Sequence, residues 1–246
     1  MVNSAISVTD NGCGMSSVEF KQFLRPNFSF KDGKNSRGCK GVGTTYLAYG
    51  FNHLEIATKQ YDGQAESGRI LNGRIWVEDK TESQIRPKVE NCLPTHAPFD
   101  ENKSGTSVVV KLIGGNIRPK NLSWLGADNA DQWLAILQAN TPIGGIYLCG
   151  KTSPNIDIEL EVISPSGIAT TQRLESPRYL YPHEVVKNTA DLGEFLKEQA
   201  KKVKQNKDVT QIPSKYQNLN GIWMQWTGDQ ILDKTDNSIS SRLDVK

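Results

Sequence analysis

Ala5 to Thr9 (AISVT) alternates apolar and polar positions with β-branched side chains and predicts a strand. It runs into Asp10-Asn11-Gly12-Cys13-Gly14, a turn-forming stop. Ser16 and Glu19 form an S-x-x-E capping box ahead of Phe20, Phe23 and Leu24, which predicts a helix that Pro26 ends. The first unit is therefore strand, glycine loop, helix. Residues 27–37 are polar, basic and glycine-containing and predict a mobile loop. Gly38-Cys39-Lys40-Gly41-Val42-Gly43 follows, and Thr44 to Phe51 predicts a short helix. Further strands are predicted over Leu54 to Thr58, Arg69 to Val77 and Ser107 to Leu112, separated by loops that include Pro87 to Pro98.

Beyond Gly115 the pattern changes. Trp133, Leu134 and Leu137 recur at helical spacing and predict an amphipathic helix over Ala130 to Ala139. Ile156 to Ile163 (IDIELEVI) alternates cleanly, Ser164-Pro165-Ser166-Gly167 is a turn, and Ile168 to Leu174 returns as the hairpin partner. Glu184 to Lys204 predicts a helix with a lysine-rich end, and the tail from Gly221 to Lys246, which holds Trp223 and Trp226, gives little pattern. No internal repeat is evident.

Composition narrows the classes. With 37% apolar and 23% charged residues, the 246-residue chain can build a core, which excludes whole-chain disorder. A formal net charge of +2 argues against a large nucleic-acid or membrane surface. No apolar run approaches the ~18 residues of a membrane span, and no cationic leader precedes Val8. Four cysteines without a C-x-x-C pair fit neither a zinc site nor a disulfide scaffold and read as reduced thiols in a cytoplasmic protein. His53, His96 and His183 are too scattered to suggest a triad or a metal cluster.

The chemistry-bearing signal is a pair of glycine loops. The first is Asp10-x-Gly12-x-Gly14-Met15, directly after a strand, and the second is Gly38-x-x-Gly41-x-Gly43, opening a helix. Gly105-Thr106 immediately precedes the strand SVVVKL. In this order the three motifs resemble those of the GHKL ATPase superfamily, which includes gyrase-type topoisomerases, heat-shock-90 chaperones, sensor histidine kinases, MutL repair proteins and MORC proteins. The run VTDNGCGMSSVEF is similar to the chaperone, MutL and MORC branch, and the match covers residues 5–112. It implies an α+β fold, a two-layer α/β sandwich of the Bergerat type, with helices on one face of a mixed, mainly antiparallel sheet. That domain, truncated at its start, would span 1–115, and a smaller α/β segment, transducer-like by position, would span 116–246.

The resemblance implies ATP as the ligand. Asp10 would accept a hydrogen bond from the adenine amino group, a buried charge-assisted bond that separates adenine from guanine. Gly12 and Gly14 would let the backbone come close to the base. Met15 would floor the ring, although filling the core is an equal reading of it. Thr106 would bond the base edge or a water beside it. In the second loop, Gly38, Gly41, Val42 and Gly43 would turn backbone N–H groups at a helix start toward phosphate, with the Thr44 and Thr45 hydroxyls in the first turn. Lys31, Lys34, Arg37 and Lys40 place four cations in ten residues, suited to a lid over the triphosphate, with Lys34 and Lys40 foremost. A solvated basic loop is the plainer reading of the four.

Two other phosphate loops do not fit. Gly38 to Thr45 reads G-x-x-x-x-G-T-T, with Thr44 where a P-loop needs lysine. A kinase loop has G-x-G-x-x-G, whereas the order here is G-x-x-G-x-G.

GHKL proteins carry a further helix motif, E-x-x-x-N-x-x-D-A, before the first glycine loop. Its Glu orients or activates the attacking water and its Asn holds magnesium. Nine residues precede Asp10 here, without that motif, so hydrolysis is expected to be weak or absent, and no magnesium ligand is identifiable. Glu184 to Asp191 imitates the motif as E-x-x-x-N-x-x-D, but in reversed chain order, and reads as a decoy; the alternative is a rearranged ATPase using Glu184 and Asn188. Glu19 reads as a cap before it reads as a base.

The family implies an ATP-driven switch in which two copies dimerise when ATP closes the lid. A non-catalytic scaffold with a relict pocket and a histidine-kinase-type phosphotransferase are the alternatives. Lys197, Lys201, Lys202, Lys204 and Lys207 could touch nucleic-acid phosphate, and a solvated helix face is the plainer reading.

Overall fold

A computed structural model describes residues 4–25, 28–30, 41–61, 63–141, 143 and 156–175, with Glu194, Lys197, Glu198, Lys201 and Gln205. The chain divides into two compact units, Met1–Leu122 and Ser123–Lys246. Both are mixed helix and antiparallel sheet, an α+β architecture.

In the first unit the elements are β1 (Ala5–Asp10), α1 (Ser17–Phe23), α2 (Val42–Gly50), β2 (His53–Lys59), β3 (Glu66–Leu71), α3 (Gly73–Glu78), β4 (Glu90–Asn91), α4 (Pro98–Glu101) and β5 (Gly105–Lys111). The sheet order is β1-β5-β2-β3-β4, and every neighbouring pair is antiparallel. The alternation of each strand decides its faces. Leu54, Ile56, Ile70, Val110 and Leu112 line one face and form a buried cluster with Ala48, Phe51 and Ile117. Phe20, Phe23 and Leu24 from the α1 region and Leu47 of α2 pack against that cluster. Burying each such Leu or Ile side chain contributes roughly 1.5–3 kcal/mol, so this face anchors the helices. Ile6 and Val8, on the same face of β1, are 43% and 62% exposed.

The opposite face is polar. Glu55 at its centre is buried and accepts hydrogen bonds from Lys111 Nζ (2.8 Å) and Thr95 Oγ1, with His53 Nε2 at 2.5 Å. Burial pushes its carboxyl up, but these hydrogen bonds and the Lys111 charge outweigh that and hold it at about 2. Residues 92–102 are strapped to this side of the sheet. Ser67 Oγ donates to Cys92 O (2.5 Å), His96 Nδ1 meets Thr9 Oγ1 at 2.6 Å, and Lys59 Nζ lies 4.8 Å over the Phe99 ring.

The α1 capping box forms as the sequence predicts. Ser16 Oγ accepts from the Glu19 N–H (3.3 Å), and Glu19 Oε2 accepts from the Ser16 N–H (2.8 Å). These bonds hold the Glu19 carboxyl below its ordinary range, the signature of a cap. The predicted strand over Arg69 to Val77 is corrected. β3 stops at Leu71, Asn72 turns left-handed at φ 59°, and α3 begins at Gly73. A Cβ on Gly73 would lie 2.0 Å from Ala48 O, so glycine is what lets α3 start against α2. The predicted loop over Pro87 to Pro98 contains the two-residue β4.

The second unit holds α5 (Ala130–Asn140), β6 (Asp157–Ile163) and β7 (Ala169–Glu175). Asn129 Oδ1 caps α5 by accepting from the Gln132 N–H at 3.0 Å. The hairpin turns through Gly167 at φ 82°, and Thr170 Oγ1 accepts from the Ala130 N–H at 2.9 Å, tying helix to hairpin. Of the helix predicted over Glu184 to Lys204, Glu194, Lys197, Glu198 and Lys201 are described, each helical. Glu184 to Asp191, His183, Cys39, Cys149, Pro26 and the tail with Trp223 and Trp226 lie outside the described residues. Among the described residues no helix is long and apolar enough to cross a membrane.

Candidate functional site

The residues of the first glycine loop gather at the end of the core face. Asp10 of β1 pairs with Thr106 of β5, and Thr106 pairs with Thr58 of β2, so the three side chains stand in one row across three strands. Asp10 Oδ1 accepts from the Gly12 N–H (2.8 Å) and the Thr106 N–H (3.3 Å), and Asn102 Nδ2 donates to Asp10 O (3.2 Å). Among the described residues nothing donates to Oδ2. A Cβ on Gly12 would come within 2.9 Å of Asp10 Oδ1, so the loop closes over the carboxylate most easily with glycine there.

Thr58 is the residue that sequence reasoning missed. It is fully buried, accepts from the Met15 N–H (2.8 Å), donates to Gly105 O (3.2 Å) and meets Thr106 Oγ1 at 3.2 Å. A polar residue ending the apolar run LEIAT was the available signal. It needed the β2–β5 register to become readable.

The structure bears on three expectations here. Asp10 is exposed, because β1 is an edge strand, so the buried bond to a base is not preformed. Gly14 makes room for the chain itself, not for a ligand. Its φ is 67°, and a Cβ would lie 2.0 Å from Lys59 O. Met15 packs against the hydrophobic cluster, which favours the core reading.

The second loop is a separate group. Gly41 caps α2 at φ 67°, where a Cβ would meet Phe28 O at 2.3 Å. Thr44 Oγ1 and Thr45 Oγ1 both donate to Gly41 O at 2.9 Å. Each hydroxyl has one proton, so in this arrangement neither has one left for a phosphate oxygen, against the expected contact. Among the described residues no side chain caps the helix, and the first-turn N–H groups, including those of Val42 and Gly43, have by helix geometry no intrahelical acceptor. A Cβ on Gly43 would touch none of the described residues within 4 Å. Lys31, Lys34, Arg37, Gly38 and Lys40 lie outside the described residues. No hydrogen bond among the described residues links this group to the Asp10 corner. Among the described residues no cluster of His, Cys, Asp or Glu is arranged to hold a metal ion.

A hollow of about 340 Å³ lies beside α2 and α3, walled by the rings of Tyr46, Tyr49 and Trp76 and flanked by Arg74 and Arg86. No sequence motif marks it.

No family model matches the chain. No curated protein matches it either. Among solved structures, the crystal structure of the N-terminal domain of a DNA repair protein is similar at 17% identity and a TM-score of 0.39, over 77% of this chain. The chain spans about half, 48%, of that structure's length. A likeness of that size assigns neither fold family nor function.

Proposed function

We propose that the first unit is the ATP-binding domain of a GHKL-type conformational switch, with weak or absent hydrolysis. The observation that carries this reading is the Asp10–Thr106–Thr58 row. One carboxylate oxygen is held by two backbone N–H groups, and the other, on an exposed side chain, has no donor among the described residues and is available as an anionic acceptor. That is the complement of an exocyclic amino donor such as the one on adenine. The start of α2 supports the phosphate end: among the described residues no side chain caps it and none comes within 4 Å of a Cβ placed on Gly43, which suits an anion at the helix dipole. Gly38, Lys34 and Lys40 would complete that contact. Weak hydrolysis is expected because no E-x-x-x-N motif precedes Asp10, and Glu19 is engaged in its helix cap, which does not suit it to act as a general base.

A non-catalytic scaffold with a relict pocket is the second reading, favoured by the engaged Thr44 and Thr45 hydroxyls. Titration of the full chain with a fluorescent ATP analogue separates the two. Saturable binding, displaced by ATP and ADP but not by GTP, is expected for the first. Asp10→Asn keeps an acceptor for the Gly12 N–H but removes the charge, and should weaken binding by about tenfold or more. Absence of saturable binding at millimolar analogue leaves the scaffold.

A further inference from the structure

We propose that the groove between α2 and α3 binds single-stranded nucleic acid, taking a base between the Trp76 ring and the Arg86 guanidinium. The groove is separate from the Asp10 corner and does not depend on the ATP reading. Three aromatic rings line it: Tyr49 and Trp76 stand 5.6 Å apart at a 48° tilt, and Tyr46 is 55% exposed.

The Arg86 guanidinium carbon sits 6.0 Å over the Trp76 ring, and Arg86 reaches the Tyr49 hydroxyl only weakly at 3.4 Å. Stacked bases repeat at about 3.4 Å, so a base sandwiched between the two needs a gap of about 6.8 Å. The guanidinium now rests on the ring itself, so a base enters as Arg86, which is exposed and held to Tyr49 only at 3.4 Å, swings outward from Trp76. Among the described residues no carboxylate pairs with Arg86, which leaves its charge for a phosphate. Arg74, at the other side, shares its charge with Glu78 (2.5 Å).

The nature of the walls selects the ligand. Rings and Val77 offer stacking surface and little to read a base edge, which fits sequence-tolerant binding of an unpaired strand. A duplex hides its ring faces within the stack and offers this groove nothing to stack on. An acidic peptide would satisfy Arg86 but gain little from ring faces, and no strand edge lies in the groove to pair with its backbone.

The test is fluorescence anisotropy of a fluorescein-labelled dT12 strand with the full chain at low salt. Arg86→Glu, an exposed change that leaves the core intact, should weaken binding by about tenfold and lower the salt slope by about one. Trp76→Leu should weaken it by about tenfold, while Trp76→Phe restores most of it, because a ring and not mere apolar bulk is required. Lys197→Glu with Lys201→Glu, two cations that do not line the groove, should change affinity by less than about twofold. The proposal is overturned if dT12 does not bind, if a Glu- and Phe-containing peptide binds in its place, if a blunt duplex binds as tightly, or if the lysine pair abolishes binding that Arg86→Glu leaves unchanged.

Discussion

Gly14 and Gly41 sit in the left-handed region at the same φ of 67°, and a side chain on either would run into backbone of the chain itself. Gly43, in the second loop, meets none of the described residues. The first glycine corner is thus an internally finished structure, closed by the Gly12 and Thr106 N–H groups and by buried Thr58. Among the described residues, the start of α2 is closed by Phe28 at Gly41 and meets no neighbour at Gly43. The contrast teaches that a glycine motif mixes two demands. Some of its positions serve the fold, and a ligand can claim only the remainder.

The largest expected effect tests the finished side. Gly14→Ala combines the left-handed penalty with a Cβ 2.0 Å from Lys59 O and should cost more than about 3 kcal/mol, read as a shift in the urea midpoint. If that variant unfolds at the wild-type midpoint, the corner is not built as described.

Glu55 gives the next effect. Its hydrogen bonds hold the strap that reaches Thr9 and Asp10, through His96 and Asn102. The folded carboxyl titrates at about 2, below its ordinary value of 4.5. The stability this adds is full above pH ~4.5 and is lost as pH falls toward ~2. Wild type should therefore lose about 2–3 kcal/mol across that window, and Glu55→Gln should show a flatter profile by that amount. Equal slopes would mean that the strap does not depend on this charge.

Gly43→Ala should have the smallest effect on stability, and of opposite sign. Alanine in a helical turn with free space around it should stabilise by up to about 1 kcal/mol. Under the proposed function the same methyl crowds the phosphate approach, so the variant melts higher yet binds the ATP analogue less well. A gain in stability with unchanged binding separates α2 from the ligand.

Local features were legible in the sequence. Ser16 and Glu19 announced their cap, and the alternation from Asp157 to Ile163 with Gly167 announced the hairpin. These depend on residues within a few positions of one another. The stretch from Arg69 to Val77 misled because its apolar positions suit either element, and the break at Asn72-Gly73 is enforced by Ala48, more than twenty residues earlier. The candidate site was half legible for the same reason. Asp10 and Gly12 carry their own turn, whereas Thr58 acquires meaning from two strands distant in the chain, and the exposure of Asp10 from its strand lying at an edge. The Trp76 groove left no motif, because its rings come from two helices with Arg86 outside both.

The row of residues 10, 58 and 106 has a consequence for how the molecule is made. A growing polypeptide emerges from the ribosome in chain order, and β5 must slot between β1 and β2, both of which appear earlier. Until Thr106 is released, Asp10 and Thr58 have no common neighbour, and β1 waits with Ile6 and Val8 bare. Nascent chains stalled before Gly105 should thus be sticky and readily cleaved, and those extended past Lys111 should turn protease-resistant in a single step.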